Sequence, residues 1–359
     1  MGQRTGRRQF LGGLLAAGLI PKPTWADAGA PAFLSAAARP DGTYVLCGIT
    51  ATLEVVFEID LPARGHAATA HPRRPEAVAF ARRPGTFAVV IDCLQGRAKA
   101  TLTAPEGRHF YGHGVYSERG DFLFTTENDF EAGQGRVGVW DVGAGYKRIA
   151  EFPSGGVGPH DIKRLPGRET LVVANGGIET HPASGRAKLN LPDMQPNLAY
   201  IDDGTVTEVA MLPAEMHRNS IRHLAVSAQG AVAFGMQWQG DGSAAALVGH
   251  HWQGGAMQVM RTPGEDLRAM AGYIGSIAFA RDGKRICVTS PRGGLLQTYD
   301  AVTAQLQDSR PLADVCGVAP LVGDFLVTSG TGVLQRMSRL AVPHAVPLMW
   351  DNHLVAVAT

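Results

Sequence analysis

The chain has 359 residues, a formal net charge of +1 and 18% charged side chains, and its 45 glycines and 22 prolines are spread along its length. A charge so close to zero gives no electrostatic basis for binding nucleic acid or an anionic membrane surface. Abundant turn residues between short apolar runs are typical of an all-β protein and not of a disordered chain.

The first 28 residues have the order of an export signal. The pair Arg7–Arg8 precedes an apolar stretch, and the small residues 26–28 close the segment. This order predicts a twin-arginine signal peptide over residues 1–28, although Gly6 stands where such signals usually carry Ser or Thr. The apolar stretch, at roughly eleven residues, is shorter than the ~20 that a membrane-spanning helix needs. We therefore expect a periplasmic protein, exported by the twin-arginine translocase, with no membrane span in the mature chain.

Four cysteines, Cys47, Cys93, Cys287 and Cys316, are widely separated and form no C-x-x-C motif. Four cysteines allow three disulfide connectivities, and spacing alone cannot choose among them. Buried free thiols on strands are the simpler alternative, which we favour for at least two of the four.

A self-similar unit recurs seven times: a short apolar strand, a turn with glycine or aspartate, and a second apolar strand. The first strands are predicted at 35–38, 77–80, 114–117, 161–164, 223–226, 276–279 and 317–320. Their spacing of roughly 40 to 60 residues is the period of propeller blades. A β-sandwich would not repeat one turn motif so often, and a β-helix has a shorter period.

The repeat predicts an all-β fold, a seven-bladed β-propeller of the WD40/YVTN-like type. It forms a single domain over residues 29–359, after the signal peptide. The C-terminal stretch 354–357 is expected to complete the last blade and close the ring.

In a propeller, the loops that lead into the first strands and those between second and third strands open on one face, where ligands usually bind. The positions just before the predicted first strands are Leu34, Glu76, His113, His160, Arg222, Gly275 and Cys316, with His223 next to Arg222. The long loop 175–190, with Asn175, His181 and Arg186, opens on the same face and exceeds what a turn requires.

Two kinds of ligand suit these residues. Imidazoles of His113, His160 and His181 beside the carboxylate of Glu127 would accept a transition metal such as Fe, Cu or Zn. Bidentate hydrogen bonds from arginine would instead hold an anionic small molecule. The predicted ligand-binding residues are Glu127, Asn128, Asn175, Arg186, Arg222 and His223. A structural polar network and a protein-docking surface are the remaining alternatives.

Motifs of other enzyme classes are missing from the sequence. It has no H-E-x-x-H, P-loop, G-x-S-x-G, C-x-x-C-H or dinucleotide fingerprint. No catalytic residue is therefore assigned.

Several segments together resemble one family. They are residues 112–117, 125–129, 158–161, 173–182 and 220–224. They are similar to an uncharacterised family of twin-arginine-exported bacterial propellers, a domain of unknown function. The genes of that family often lie beside imelysin-type peptidase-like and di-haem oxidoreductase-like genes. The resemblance implies a periplasmic location and a role in handling iron or another metal.

The leading hypothesis is a periplasmic propeller that binds a metal or metal chelate at the channel mouth, as a part of iron uptake. One alternative is a metal-dependent hydrolase or oxidoreductase that uses the same site. Another is a docking scaffold for periplasmic iron-uptake proteins, in which the histidines are only structural.

Overall fold

The computed structural model describes residues 22–81, 87–185, 187–340 and 345–357. These residues form seven small antiparallel sheets arranged in a ring, so the predicted seven-bladed propeller is confirmed. The paired arginines of the predicted signal peptide, and Arg186, lie outside the described residues.

The strands of each blade follow one another from the central channel outwards. Blade 1 contains β27 (Met349–Ala356), β1 (Phe33–Ala38), β2 (Tyr44–Ile49) and β3 (Val55–Leu61). Blade 2 contains β4 (Gly65–Ala70), β5 (Glu76–Ala81), β6 (Ala88–Asp92) and β7 (Arg97–Leu102). Blade 3 contains β8 (Arg108–Tyr116), β9 (Phe122–Asp129), β10 (Gln134–Asp141) and β11 (Lys147–Pro153). Blade 4 contains β12 (Pro159–Arg164), β13 (Leu171–Asn175), β14 (Asn197–Asp202) and β15 (Thr205–Met211).

The other three blades follow the same order. Blade 5 contains β16 (Asn219–Val226), β17 (Val232–Trp238), β18 (Val248–His251) and β19 (Gln258–Val259). Blade 6 contains β20 (Ser276–Phe279), β21 (Arg285–Ser290), β22 (Leu295–Asp300) and β23 (Leu306–Pro311). Blade 7 contains β24 (Val315–Pro320), β25 (Phe325–Ser329) and β26 (Leu334–Arg336).

Helices are short and lie between strands. The α-helix α1 spans Gly264–Ala269, and single 3₁₀ turns occur at Pro182–Ser184, Leu191–Asp193, Ala214–Met216 and Met337–Arg339. Within the described part of the chain, none of the helices has the length and apolar character required to cross a bilayer.

The first two blades correct the predicted strand order. Segments 35–38 and 77–80 lie in β1 and β5, which are second strands; the innermost strands are β27 and β4. Leu34 and Glu76 therefore do not precede innermost strands. The C-terminal strand closes the ring, but as the innermost strand of blade 1 and not as part of blade 7. Pairing strands from both chain ends within one sheet removes the free edge that an open ring would leave.

The hydrophobic core lies between the blades, because side chains alternate along each strand and so contact both neighbouring sheets. Phe80 of blade 2, for example, packs in one cluster with Phe110 and Trp140 of blade 3. Tyr200 of blade 4 and Phe234 of blade 5 share another cluster. Blade-to-blade packing of this kind holds the inner ends of the strands in fixed positions around the channel.

A turn at the start of the described chain packs against blades 1 and 2. Trp25 is buried among their apolar side chains, and its Nε1–H donates to the carbonyl of His71 at 2.8 Å. Ala28, the predicted last residue of the signal peptide, is buried in the same cluster. The predicted boundary after Ala28 thus falls inside a packed turn.

All four cysteines are buried free thiols, the alternative that the sequence favours for at least two of them. Burial raises the pKa of Cys93 and of Cys316 to about 12, so both remain protonated at neutral pH. Neutral buried thiols are inert packing groups and not nucleophiles.

Candidate metal centre

Five histidines meet in the central channel, each from the innermost strand of a different blade. His66 belongs to β4, His113 to β8, His160 to β12, His223 to β16 and His353 to β27. Four rings form a closed circuit, with centroid separations of 4.6 Å (His66–His353), 4.9 Å (His353–His223), 4.8 Å (His223–His160) and 5.7 Å (His160–His66). The ring of His113 lies 4.7 to 6.0 Å from the other four. We call these five residues the channel histidines.

Irregular strand pairing directs these side chains into the channel. The register shifts between Gly65 and Ala68, Phe110 and Gly114, Pro159 and Asp161, Ile221 and His223, and Trp350 and Leu354. Each shift contains a channel histidine or immediately precedes one. A β-bulge turns a strand locally and re-aims its side chains, which is why bulges are frequent beside functional sites. In blade 6, β20 and β21 pair without a shift and contribute no histidine.

Gly112 allows two of the rings to approach each other. Its φ is +102°, and a Cβ there would lie 2.6 Å from Cδ2 of His66. Any other residue at this position would therefore be strained and would also collide with the His66 ring. The Gly112–His113 pair thus lets His113 approach His66 within the channel.

Hydrogen bonds orient two of the rings. Nδ1 of His113 lies 3.1 Å from Oδ1 of Asp161, and Nδ1 of His160 lies 3.0 Å from the carbonyl oxygen of Arg222. Each Nδ1 faces an acceptor, so it carries the proton in a neutral ring and leaves a lone pair on Nε2. A histidine that donates one nitrogen to a carboxylate or carbonyl while the other binds a metal is the usual arrangement at metal sites.

Asp161 is a buried anchor below His113. Its Oδ1 accepts from the backbone N–H of Ile162 at 2.8 Å and from Nζ of Lys163 at 2.9 Å, and its Oδ2 accepts from the backbone N–H of Leu224 at 2.9 Å. Burial would raise the pKa of this carboxyl, but Lys163 and His113 hold it well below its usual range. The group is therefore a carboxylate at neutral pH and fixes both the proton and the orientation of His113.

The remaining nitrogens are available to a ligand. Both ring nitrogens of His223, and Nε2 of His353, are buried without a hydrogen-bond partner within the described residues. Burial lowers the pKa of His223 to about 3. Burial likewise lowers the pKa values of His160 and His353 far below the ordinary range. These imidazoles are neutral at pH 7, which is the form that binds metals.

The ring nitrogens form two overlapping sets of three, each spaced as the ligands of a metal ion could be. Ligand atoms of His66, His113 and His160 lie within 4.8 Å of one another, as do those of His113, His223 and His353. Nε2 of His113 and Nε2 of His66 are 3.2 Å apart. Adjacent nitrogens around a tetrahedral ion at ~2.0–2.1 Å are separated by about 3.3 Å, so this pair already has the spacing of two ligands of one ion.

The channel histidines separate two cavities. The upper vestibule, of about 680 Å³, receives the loops that lead into innermost strands and the loops after second strands; His66 and His160 line it. The lower vestibule, of about 540 Å³, is lined by the innermost strands themselves, with His113, His223 and His353. The upper vestibule is on the face where the sequence places the ligand loops.

The structure brings three predicted site residues together in this centre: His113, His160 and His223. Arg222, also predicted, lines the upper vestibule, and its carbonyl oxygen orients His160. His181 lies elsewhere. Its Nδ1 accepts from the backbone N–H of Ala183 at 3.1 Å and so caps the 3₁₀ turn that follows.

Glu127 and Asn128 are engaged within the blades. Glu127 is fully buried and accepts from Nη1 and Nη2 of Arg148 at 2.6 and 2.9 Å, and from the hydroxyl of Thr125 at 2.9 Å. Asn128 donates to the carbonyl of Thr180 at 3.0 Å. The negative charge of a carboxylate held by a bidentate arginine is already balanced. The contacts of Glu127 are therefore those of a residue that stabilises the fold.

Asn175 is likewise engaged within the fold. Its Nδ2 donates to the carbonyl of Ser154 and to Oδ1 of Asn197, both at 2.9 Å. These bonds tie the end of β13 to the third strand and to the preceding blade.

His66 and His353 are the channel residues absent from the sequence analysis. A signal was present, because His66, His113 and His160 are evenly spaced, 47 residues apart. A small, polar or charged residue precedes each histidine, as in Gly65–His66 and Asn352–His353. Aligning the repeat on histidine instead of on the glycine turn identifies His66, whereas His353 does not follow this spacing.

Comparison with known proteins identifies the family. A model described as "Protein of unknown function (DUF1513)" matches residues 59–357. The chain belongs to this family. This agrees with the expected membership in an uncharacterised domain family. No curated protein sequence matches the chain.

Solved structures show the same type of fold at low identity. Hydrazine synthase from Kuenenia stuttgartiensis is similar with a TM-score of 0.60 and 13% identity, over 83% of this chain and 93% of that one. A structure of KlHsv2 with loop 6CD replaced by a Gly-Ser linker has a TM-score of 0.52 and 12% identity, over 80% and 82% of the two chains. At these identities the likeness concerns the fold alone.

Proposed function

We propose that the protein binds one transition-metal ion in its central channel through the channel histidines. The observation that carries this proposal is the convergence of five imidazoles from five blades, in a buried place where ring nitrogens of His223 and His353 have no hydrogen-bond partner in the described part of the chain. Burying unpaired polar atoms costs about 1–3 kcal/mol each, and a bound metal would recover that cost. A purely structural network would pair these nitrogens.

The ligand set favours Fe, Cu or Zn, because neutral imidazole suits all three and no thiolate belongs to the group. Among divalent ions of the first transition row, nitrogen sites bind Cu²⁺ most tightly. Four rings in a circuit with a fifth ring close to all of them also resemble the tetragonal geometry that Cu²⁺ prefers. We expect Cu²⁺ to bind most tightly in solution, followed by Zn²⁺ and then Fe²⁺.

Binding is favoured over catalysis by the number of protein ligands. A catalytic metal usually keeps about three protein ligands and an open position for water or substrate. If all five imidazoles bind, at most one position of a six-coordinate ion stays open. The arrangement therefore suits a protein that holds or transfers a metal.

The proposed setting is the periplasm, with a role in the uptake of iron or another metal. Support comes from the Arg7–Arg8 pair with its apolar stretch and from the family resemblance described above. Replacing Arg7 and Arg8 by lysine should retain the protein in the cytoplasm, as measured by fractionation. Unchanged periplasmic recovery would contradict export by the twin-arginine route.

The metal proposal is tested by stripping the full chain with a chelator, adding Cu²⁺, Zn²⁺ or Fe²⁺, and measuring bound metal after dialysis. Wild-type protein should retain about one equivalent. The His113→Ala/His160→Ala variant should retain almost none. Cu²⁺ in the wild-type protein should also show nitrogen hyperfine structure in its electron paramagnetic resonance spectrum.

His181→Ala is the matched control, because His181 is a histidine of the same face that lies outside the centre. It should bind metal like the wild type. Circular dichroism and the melting temperature check that the double variant is folded, and the single variant His223→Gln, a milder change, should also weaken binding. Equal metal loss in His181→Ala, or no binding by wild type, would overturn the proposal.

A further inference from the structure

The upper vestibule is rich in cationic side chains. Among the residues that line it, four are basic: Arg64, Lys188, Arg222 and Arg292. Two are acidic, Asp314 and Asp351. With neutral histidines, the lining therefore carries a net positive charge. Its volume of about 680 Å³ lies within the ~300–1,000 Å³ typical of small-molecule sites.

The charges are distributed unevenly around the channel. Arg64 is engaged by Asp351 through an ion pair of 2.6 Å, on the side of blades 1 and 2. The other three cations come from consecutive blades: Lys188 from the long loop of blade 4, Arg222 from β16 of blade 5, and Arg292 from the loop after β21 of blade 6. The side of the upper vestibule formed by blades 4 to 6 is thus its cationic side.

The cationic side has a preformed structure. The guanidinium of Arg292 lies 4.7 Å from the ring centroid of Tyr273, a cation–π contact that limits its motion. The hydroxyl of Tyr273 in turn accepts from Nδ2 of Asn352 at 3.0 Å. Partial burial and the charges of Arg222 and Arg292 lower the pKa of Lys188, so the three cations are close enough to repel one another.

This side of the vestibule adjoins the metal centre. The carbonyl of Arg222 bonds to Nδ1 of His160, and His160 itself lines the upper vestibule. A molecule held by the cations therefore lies next to a channel histidine. Neutral imidazoles supply no anionic ligand atom, so an anionic oxygen atom would complement the charge of a bound metal.

We propose that the cationic side of the upper vestibule binds a small polycarboxylate, with Arg222, Arg292 and Lys188 pairing its outer carboxylates while one carboxylate oxygen reaches the metal. The proposal rests on the proposed function for its metal contact. The protein would accordingly take its metal as an anionic carboxylate chelate and not as the free hydrated ion. Two or more carboxylates are required, because one group cannot pair the cations and also reach the ion.

The test uses citrate as the probe and isothermal titration of the full chain. Metal-free wild type should bind citrate with an affinity that falls as salt is added. Arg292→Gln/Lys188→Gln should weaken this binding at least ten-fold. Arg164→Gln is the matched control, because Arg164 is a cation of the lower vestibule, and it should change citrate affinity less than two-fold.

A second arm tests the contact with the metal. Adding citrate to Cu²⁺-loaded protein should change the paramagnetic resonance spectrum while about one equivalent of metal is retained. The double variant should still load metal, so that failure of the anion site is distinguishable from failure of the metal site. A metal-loaded spectrum that citrate leaves unchanged would overturn the bridging contact.

Other outcomes would overturn the anion site itself. These are undetectable citrate binding, equal weakening in Arg164→Gln, and citrate affinity unchanged in the double variant. Inorganic phosphate that binds as tightly as citrate, with the same loss in the double variant, would contradict the assignment to polycarboxylates.

Discussion

The two vestibules differ in what lines them, although innermost strands contribute to both. The upper vestibule is lined by strand ends together with loop residues, and four of its lining residues are cations. The lower vestibule is lined by the strands themselves, with small and apolar side chains such as Ala68, Ile277 and Val318. Its charged residues, Asp161, Lys163 and Arg164, belong to one strand, β12.

The difference indicates different tasks for the two sides of the channel histidines. Strand residues are held by pairing on both sides and by packing between blades, so the lower vestibule provides rigid support. Loop residues such as Lys188 and Arg292 can vary without disturbing those contacts, so the loop part of the upper vestibule can be shaped to a ligand. Substitutions below the channel histidines should therefore reduce stability, and substitutions above them should change ligand binding.

The largest loss of stability should come from Asp161→Asn. Asp161 accepts four hydrogen bonds through its two oxygens, and an amide placed there would turn an NH₂ group toward a donor. We expect a loss of about 3–5 kcal/mol in the free energy of unfolding, measured by chemical denaturation. Because His113 loses its carboxylate partner, metal affinity should also fall about 10–100-fold.

Asp308→Asn is the matched control for this change. Asp308 pairs with Arg310 at 2.6 Å on the outer strand of blade 6, where both side chains are exposed to solvent. Such a pair is worth less than about 1 kcal/mol. If Asp161→Asn were as mild as Asp308→Asn, the lower vestibule would not be the rigid support described here.

A smaller loss should follow from shortening an apolar side chain of the lower vestibule. Ile277 is buried in β20, the strand of a blade without a channel histidine. Ile277→Ala should lower the free energy of unfolding by about 2–3 kcal/mol and leave citrate affinity unchanged. Lys188→Ala, in the upper vestibule, should instead weaken citrate binding and change the free energy of unfolding by no more than about 0.5 kcal/mol. The comparison fails if both variants affect the same property.

The fold was predictable because the glycine turn repeats in every blade, and seven repeats of blade length favour few other architectures. The strand order of blades 1 and 2 was not predictable from that turn. The hairpins β1–β2 and β5–β6 show the same apolar strand, turn and apolar strand as the inner hairpins of other blades. In blade 1 the pairing of β27 with β1, across almost the whole chain, identifies the innermost strand, and in blade 2 the pairing of β4 with β5 does so.

The site was predictable where the register was right. His113, His160 and His223 lie on innermost strands that the repeat predicts, whereas His66 lies on β4, which the repeat does not predict, and His353 lies on the C-terminal strand, which was expected in the last blade. The inclusion of His181 had a different cause. Loop length and composition suggested a ligand, but the chain reverses after His181, and its ring nitrogen is used to cap that reversal. Local capping of this kind cannot be distinguished from ligand binding by composition.

The smallest predicted change in stability concerns His71. Its two chain neighbours line the lower vestibule. Its Nδ1 accepts from the backbone N–H groups of Arg73 and Arg74, both at 3.0 Å. Burial and the charge of Arg74 lower its pKa from 6.5 to about 4. The unfolded chain thus binds a proton at His71 near pH 6.5, whereas the folded protein binds it only near pH 4. The free energy of unfolding therefore decreases as the pH falls below about 6.5. By pH 5 the loss from this residue should be about 2 kcal/mol relative to pH 8.

The measurement compares metal-free wild type and His71→Gln by chemical denaturation from pH 8 to pH 5. The difference between them at pH 8 is the packing cost of the substitution, and only its change with pH reports the proton. The wild type should lose the extra free energy on acidification, so the two unfolding curves should approach each other. A constant difference across the range would mean that His71 binds its proton equally in both states. In that case the part of the acid-induced loss of stability that arises at the lower vestibule would come from the channel histidines alone.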